Sequence, residues 1–259
     1  MLRTQYLHFD SINSNYITDV NNTSGNTKNC FKTVFPMTMS FKKIKKVHLK
    51  SVELTVGFPN IRTGSTNTLS YVLNGTTYTT TLAETNYTSI ATFLTAIGTA
   101  CSATVGGGLT MTFALTTSNN NIKITFSGAT VTTFVFVDTN LSKYICGFRT
   151  TDVYSSNLIT GSCNYSLSAD NYINIYMPSF NSMNANQNGA YSTFKLPLNT
   201  ITNQVYFYQE SSSFTQSVDI SDDNLVLSSL TIHILDRFGK NINPNGLDYS
   251  FTLAIDYIL

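Results

Sequence analysis

The stretch Lys46-Val47-His48-Leu49-Lys50-Ser51-Val52-Glu53-Leu54-Thr55-Val56-Gly57-Phe58 carries the alternation on which the fold turns. Val52, Leu54, Val56 and Phe58 fall on every second residue, the period of a half-buried β-strand. Val47 and Leu49 have the opposite parity. One extra residue near Lys50 or Ser51, a β-bulge, brings both sets onto one face.

Working outward, the same period recurs. Phe31 to Phe41 reads as a strand containing Pro36, which places it at an edge or a bulge. Tyr172 to Met177 puts Ile173, Ile175 and Met177 on one face. Thr193 to Leu198 and Val205 to Tyr208 are shorter strands, separated from it by a polar loop at Asn181 to Ala190. Leu230, Ile232 and Ile234 alternate with Thr231 and His233, and Phe251, Leu253, Ile255 and Tyr257 form a final strand. Many strands between polar turns, with no repeat of fixed period, predict a β-sandwich or jelly roll.

Between 67 and 148 the pattern changes. Thr68 to Leu73 and Thr77 to Leu82 flank Asn74-Gly75, a hairpin signal. Ile90, Phe93, Leu94, Ile97 and Cys101 then recur at helical spacing, behind Asn86, Thr88 and Ser89 as candidate caps. Strands at Leu109 to Leu115, Ile122 to Phe126 and Thr132 to Val137 complete a small α+β insertion with one helix. The expected organisation is an extended N-terminal arm at 1–28, dominated from Ser11 by Asn, Ser and Thr. A β domain follows from 29–66 and 149–259, interrupted by an insertion at 67–148.

Composition narrows the function. Charged residues make up 11% of the 259, against roughly 25% in an average soluble domain. Fifteen basic and fourteen acidic residues nearly cancel, so no field for nucleic acid or an acidic substrate is implied. Asn, Ser and Thr replace charge, alongside fifteen Tyr, seventeen Phe and no Trp. Such a surface sheds water at modest cost and is poorly protected against association, which suits a subunit covered by neighbours. Met1-Leu2-Arg3-Thr4-Gln5-Tyr6 lacks the apolar core of a signal peptide, and Ile90 to Val105 is too short and Thr-rich for a membrane span.

Candidate chemistry is sparse. His8, His48 and His233 fit neither a triad order nor a metal-binding spacing. Adjacent Asp222 and Asp223 point apart on an extended chain and make a poor acid/base pair. Gly106-Gly107-Gly108 lacks the Lys and Ser/Thr of a phosphate loop and precedes a strand; it is a turn. Cys30, Cys101, Cys146 and Cys163 are widely spaced, with no C-x-x-C, and read as buried free thiols of a chain that folds in a cytosol. Sequons such as Asn22, Asn74, Asn86, Asn140 and Asn164 are expected by chance in this composition.

One charge cluster stands out: Lys42, Lys43, Lys45, Lys46 and Lys50. It could meet nucleic acid or an acidic neighbouring subunit, or be a solvated strand end that discourages edge-to-edge pairing. The neutral chain, and the absence of interleaved aromatics beyond Phe41, favour the second.

The order of features resembles the penton and minor capsid proteins of virophages, polinton-like elements and large eukaryotic double-stranded DNA viruses. The resemblance rests on Leu7-His8-Phe9-Asp10-Ser11-Ile12-Asn13-Ser14-Asn15, on Val47 to Leu54, and on Asn86-Tyr87-Thr88-Ser89-Ile90 opening the helix. It continues in Leu141 to Phe148, in Leu230 to Gly239 and in the strand Tyr249 to Ile255. Thr85 stands where the family usually has Gly before the Asn-Tyr-Thr element. The resemblance implies an all-β fold, a single jelly-roll β-sandwich with an inserted subdomain. It also implies a structural, non-enzymatic protein of the virion, assembled in the host cytoplasm or virus factory, with no cofactor or metal. Its expected partners are further copies of itself, a pentamer at the capsid vertex, together with the major capsid protein and other capsid proteins. The alternative is a receptor- or glycan-binding module such as a fibre head, using Tyr-bearing loops at 181–191 or 206–215. A β-sandwich hydrolase lacks a recognisable acid/base pair.

Overall fold

A computed structural model describes residues 1–11, 15–18, 31–168, 170–180, 192–198, 204–212, 215–220, 225–242 and 248–259. Cys30, Asp222, Asp223, the sequon at Asn22, the loop at 181–190 and most of the arm beyond Ser11 lie outside the described residues. In chain order the strands are β1 (Leu2–Asp10), β2 (Asn15–Thr18), β3 (Phe31–Lys42), β4 (Ile44–Thr55), β5 (Thr68–Leu73) and β6 (Thr76–Thr81). Helix α1 (Ile90–Val105) leads to β7 (Thr110–Leu115), β8 (Asn121–Ser127), β9 (Phe134–Val137), a π-helical turn (Leu141–Ile145) and β10 (Leu158–Asn164). The remainder is β11 (Tyr172–Tyr176), β12 (Phe194–Pro197), β13 (Val205–Gln209), β14 (Gln216–Asp219), β15 (Val226–Leu235) and β16 (Tyr249–Ile258).

The chain forms two compact units, Met1–Phe58 with Asp170–Leu259, and Pro59–Ala169. The second unit begins and ends outside the 67–148 expected from sequence because its flanks are tied into it. Ile61 and Thr85 exchange backbone hydrogen bonds at 3.2 and 3.1 Å. Asn60 Nδ2 donates to the carbonyls of Tyr87 and Leu167 at 2.8 and 2.9 Å. β10, expected in the β domain, pairs with β8.

The first unit is an antiparallel sandwich. One sheet has the order β1-β16-β4-β13, with β14 also on β4; the other has the order β12-β11-β15-β3-β2. We call them sheets I and II. Val47, Leu49, Val52, Leu54, Phe251, Leu253 and Ile255 of sheet I share one buried cluster with Phe35, Ile173, Ile175, Leu196, Leu230 and Ile232 of sheet II. The cavity between them measures about 10 Å³, no more than a single water needs, so the interior is packed and holds no ligand chamber there.

β4 carries the bulge that its sequence phases require. Ser51 pairs with Thr252 and Leu49 with Leu253, leaving Lys50 as the extra residue, whose carbonyl accepts the Glu210 N–H at 2.8 Å. A second bulge was not visible in the sequence. Lys46 pairs with Asp256 and Ile44 with Tyr257, and the spare Lys45 carbonyl accepts the Ile220 N–H at 2.8 Å. Each extra residue flips the parity, and together they turn Ile44, Val47, Leu49, Val52 and Leu54 all inward. β3 shows the irregularity expected at Pro36, where its register with β15 shifts. β2 covers only Phe31 to Val34, so the missing proline N–H falls beyond that ladder.

The expected arm requires correction over its first ten residues. β1 pairs residue for residue with β16 from Leu2↔Ile258 to Asp10↔Ser250. Phe9 stacks on Phe251 at 4.9 Å and meets Phe35 edge-on at 5.3 Å. Polar composition hid this strand because one of its faces is solvent and its N-terminal half buries almost nothing.

In the second unit, sheets β6-β5-β9 and β10-β8-β7 and helix α1 enclose their own apolar cluster. Phe93, Leu94, Ile97 and Cys101 are the buried stripe of α1, as their spacing predicts. Ser89 is the N-cap by backbone, but its hydroxyl caps nothing. At Gly98 a Cβ would lie 2.9 Å from the Met111 carbonyl, so the absence of a side chain lets α1 lie close on β7. Asn74 and Gly75 join β5 to β6 with φ of 47° and 79°, the two positive values of a type I′ turn. Asn74 Oδ1 also accepts the Thr132 and Thr133 N–H groups at 2.7 and 3.2 Å, and its amide donates to the Thr130 carbonyl at 3.0 Å. Asn74→Ala therefore strains the turn and frees the approach to β9. We expect a loss of about 1–2 kcal/mol in urea unfolding of the full chain.

Candidate contact surface

The five lysines occupy different settings. Lys42 ends β3 and Lys43, at φ 50°, turns the chain from sheet II into sheet I; both are exposed. Lys45 is the bulged residue, and Lys46 and Lys50 stand with His48 on the outer face of β4. There they line an open cleft of about 490 Å³ with Glu210, Ser211, Ser212, Thr215 and Ser217. Carboxylates from distant segments meet these side chains. Lys50 pairs with Glu210, Lys46 Nζ lies 3.3 Å from Asp219, and His48 Nε2 lies 3.1 Å from Asp256 Oδ2. A cation matched to a carboxylate contributes little field for phosphate, so the cleft is an ion-paired polar surface. Sequence reasoning missed the three acids because they follow Lys50 by 160 residues or more and come from other segments.

Asp256 is the best-held of them. Burial alone would raise its pKa. The Thr4 hydroxyl, donating to Oδ1 at 2.6 Å, together with His48 and the nearby Lys46, holds the carboxyl below the ordinary aspartate value of 3.8. A depressed carboxyl pKa stabilises the fold above its unfolded value, and this stabilisation is lost as pH falls through the folded value. Wild type should therefore lose part of its advantage over Asp256→Asn as the pH is lowered below 3.8. Urea midpoints of the two proteins at pH 7, 4 and 3 check this; a constant gap would count against it.

The other candidates fall into structural settings. His8 Nδ1 lies 3.2 Å from the Thr252 hydroxyl, and His233 Nδ1 lies 3.2 Å from Asn241 Oδ1, with the Tyr176 ring nearby at 5.8 Å. Gly106, Gly107 and Gly108 are three consecutive positive-φ residues turning α1 into β7. Cys101 and Cys146 are buried free thiols and Cys163 is a half-buried one. Burial pushes the Cys101 thiol up to about 11 and that of Cys146 higher still. Among the described residues, no three His, Cys, Asp or Glu side chains gather in a way that could hold a metal ion. No described helix is long and apolar enough to cross a membrane.

Tyr206 and Tyr208, the tyrosines of the 206–215 segment that the glycan-binding alternative would use, are buried in the sandwich core, a correction that removes them from that surface. Their strand, Val-Tyr-Phe-Tyr-Gln, is apolar on both parities, so alternation could not say which set faces in. The tyrosines do, and Val205 and Phe207 face solvent. Exposed Leu2 and Tyr6 occupy the outer face of β1 at the opposite edge of the sheet.

Two packed antiparallel sheets carrying an α+β unit between β4 and β11 define an all-β, jelly-roll class of protein. No family model and no curated protein matches the chain. Among solved structures, the crystal structure of a selenomethionine-labelled mavirus penton protein is similar in fold. The alignment covers 99% of this chain and 100% of that one, with a TM-score of 0.50 and 13% identity. At that identity the likeness is one of fold.

Proposed function

We propose that the chain is a structural capsid protein that acts as a penton, with five copies forming the vertex and contacting the major capsid protein. The observation that carries this reading is the end-to-end likeness to a penton fold, which spans the sandwich and the α+β unit alike. The low charge of the chain and the ion-paired outer face of sheet I support it, since such surfaces pack against protein at modest desolvation cost. Its mechanism is association without catalysis or cofactor. Stable contacts bury roughly 1,200–2,000 Å² per pair, and a rotationally closed set of them holds each subunit twice. Its place is the virion. Native mass spectrometry of the purified chain tests the reading, with a fivefold mass expected. A monomer at all concentrations, from a protein also absent from purified virions, would overturn it.

A further inference from the structure

The two edges of sheet I are complementary. β1 is antiparallel to β16, β16 to β4 and β4 to β13, so β13 runs opposite to β1. A second copy placed with its β13 beside β1 continues the antiparallel alternation, with both core faces on the same side. Among the described residues neither strand has a strand partner on its far side. Natural edge strands are blunted by Lys, Pro, bulges or shortness. β1 has nine residues in an unbroken register, with no Lys and no Pro and its two charged residues, Arg3 and Asp10, towards its ends, and β13 carries no charge. Both expose apolar side chains on the outer face: Leu2 and Tyr6 are each 61% exposed, Val205 62% and Phe207 56%.

We propose that copies of this chain join head to tail by pairing β1 of one with β13 of the next. With Thr4 opposite Phe207, Val205 faces Tyr6 and Gln209 faces Leu2. Phe207 is then diagonal to both Leu2 and Tyr6, within reach of an aromatic ring. Self-pairing of β1 about a two-fold axis would leave Val205 and Phe207 uncovered. The proposal rests on the ring reading above and names the surfaces that make it, since a heterologous contact closes into a ring when its rotation allows.

The test uses two full-length variants, Leu2→Lys with Tyr6→Lys, and Val205→Lys with Phe207→Lys. Sedimentation and native mass spectrometry read their assembly, and circular dichroism verifies their fold. Each variant alone is expected to be monomeric. An equimolar mixture is expected to give a discrete two-chain species, because each partner keeps one competent edge. Should a double variant fail to fold, Tyr6→Lys and Phe207→Lys alone carry the same test. Folded variants that keep the wild-type mass would overturn edge pairing while leaving the ring reading intact. So would a mixture that stays monomeric, or a β13 variant that dimerises by itself. A wild-type chain that is monomeric throughout would overturn the ring reading itself.

Discussion

Gly147→Ala is expected to destabilise the 59–169 unit by about 3–5 kcal/mol, as steric overlap with fixed backbone adds to left-handed strain. Gly147 has φ +76°, and a Cβ there would lie 2.2 Å from the Cys163 carbonyl oxygen and 2.8 Å from that of Asn164. Neither oxygen can swing away cheaply. The Gly147 carbonyl accepts the Cys163 N–H at 3.1 Å, and the adjoining Phe148 ring stacks on Phe136 at 4.1 Å. Gly64→Ala is the control. Its φ is +73° but no atom lies within 4 Å of the added carbon, so only the conformational cost of about 1 kcal/mol remains. Urea unfolding, with hydrogen exchange of peptides from β7 to β10, separates the two. Equal losses would show that the carbonyl contacts relax.

Phe251→Ala should cost the sandwich about 3–5 kcal/mol. Its ring stacks on Phe9 and meets Phe35 edge-on at 5.4 Å, joining β1, β16 and β3 in one aromatic contact. Phe9 is the one buried side chain of β1, so truncating Phe251 should free that strand first. The expected signature is faster exchange of the Leu2–Asp10 amides than of those in β11 and β15. Uniform acceleration across both sheets would contradict it.

Much of this architecture was legible because alternation reports a face directly. The inward sets of β11, β15 and β16, the stripe of α1, the Asn74-Gly75 turn and the bulge at Lys50 all follow from residue spacing. What escaped the sequence were features with no local period. β1 has one solvent face and on the other buries only Phe9, and β10, Leu-Ile-Thr-Gly-Ser-Cys-Asn, buries little beyond Ile159 and Gly161. The second bulge at Lys45 is set by its partners on β16 and β14. The same limit applied to the contact surface. Five lysines close in sequence suggested a basic patch, but spacing could not show that a strand turn and two bulges distribute them or that distant acids meet Lys46 and Lys50. In β13 the composition was visible but its orientation was not, because Tyr and Phe suit either face.

The place of β16 in sheet I has a consequence in time. It lies between β1 and β4, yet among the described elements it is the last to leave the ribosome. Until residues 249–258 emerge, β1 has no ladder to join and one edge of β4 stays unpaired. The 59–169 unit is translated whole well before then and can fold early, since domains generally fold as units during synthesis. A chain cut short before β16 would lack the support for β1, one of the two edges proposed for assembly. Synthesis order thus ties the β1 edge to the arrival of β16.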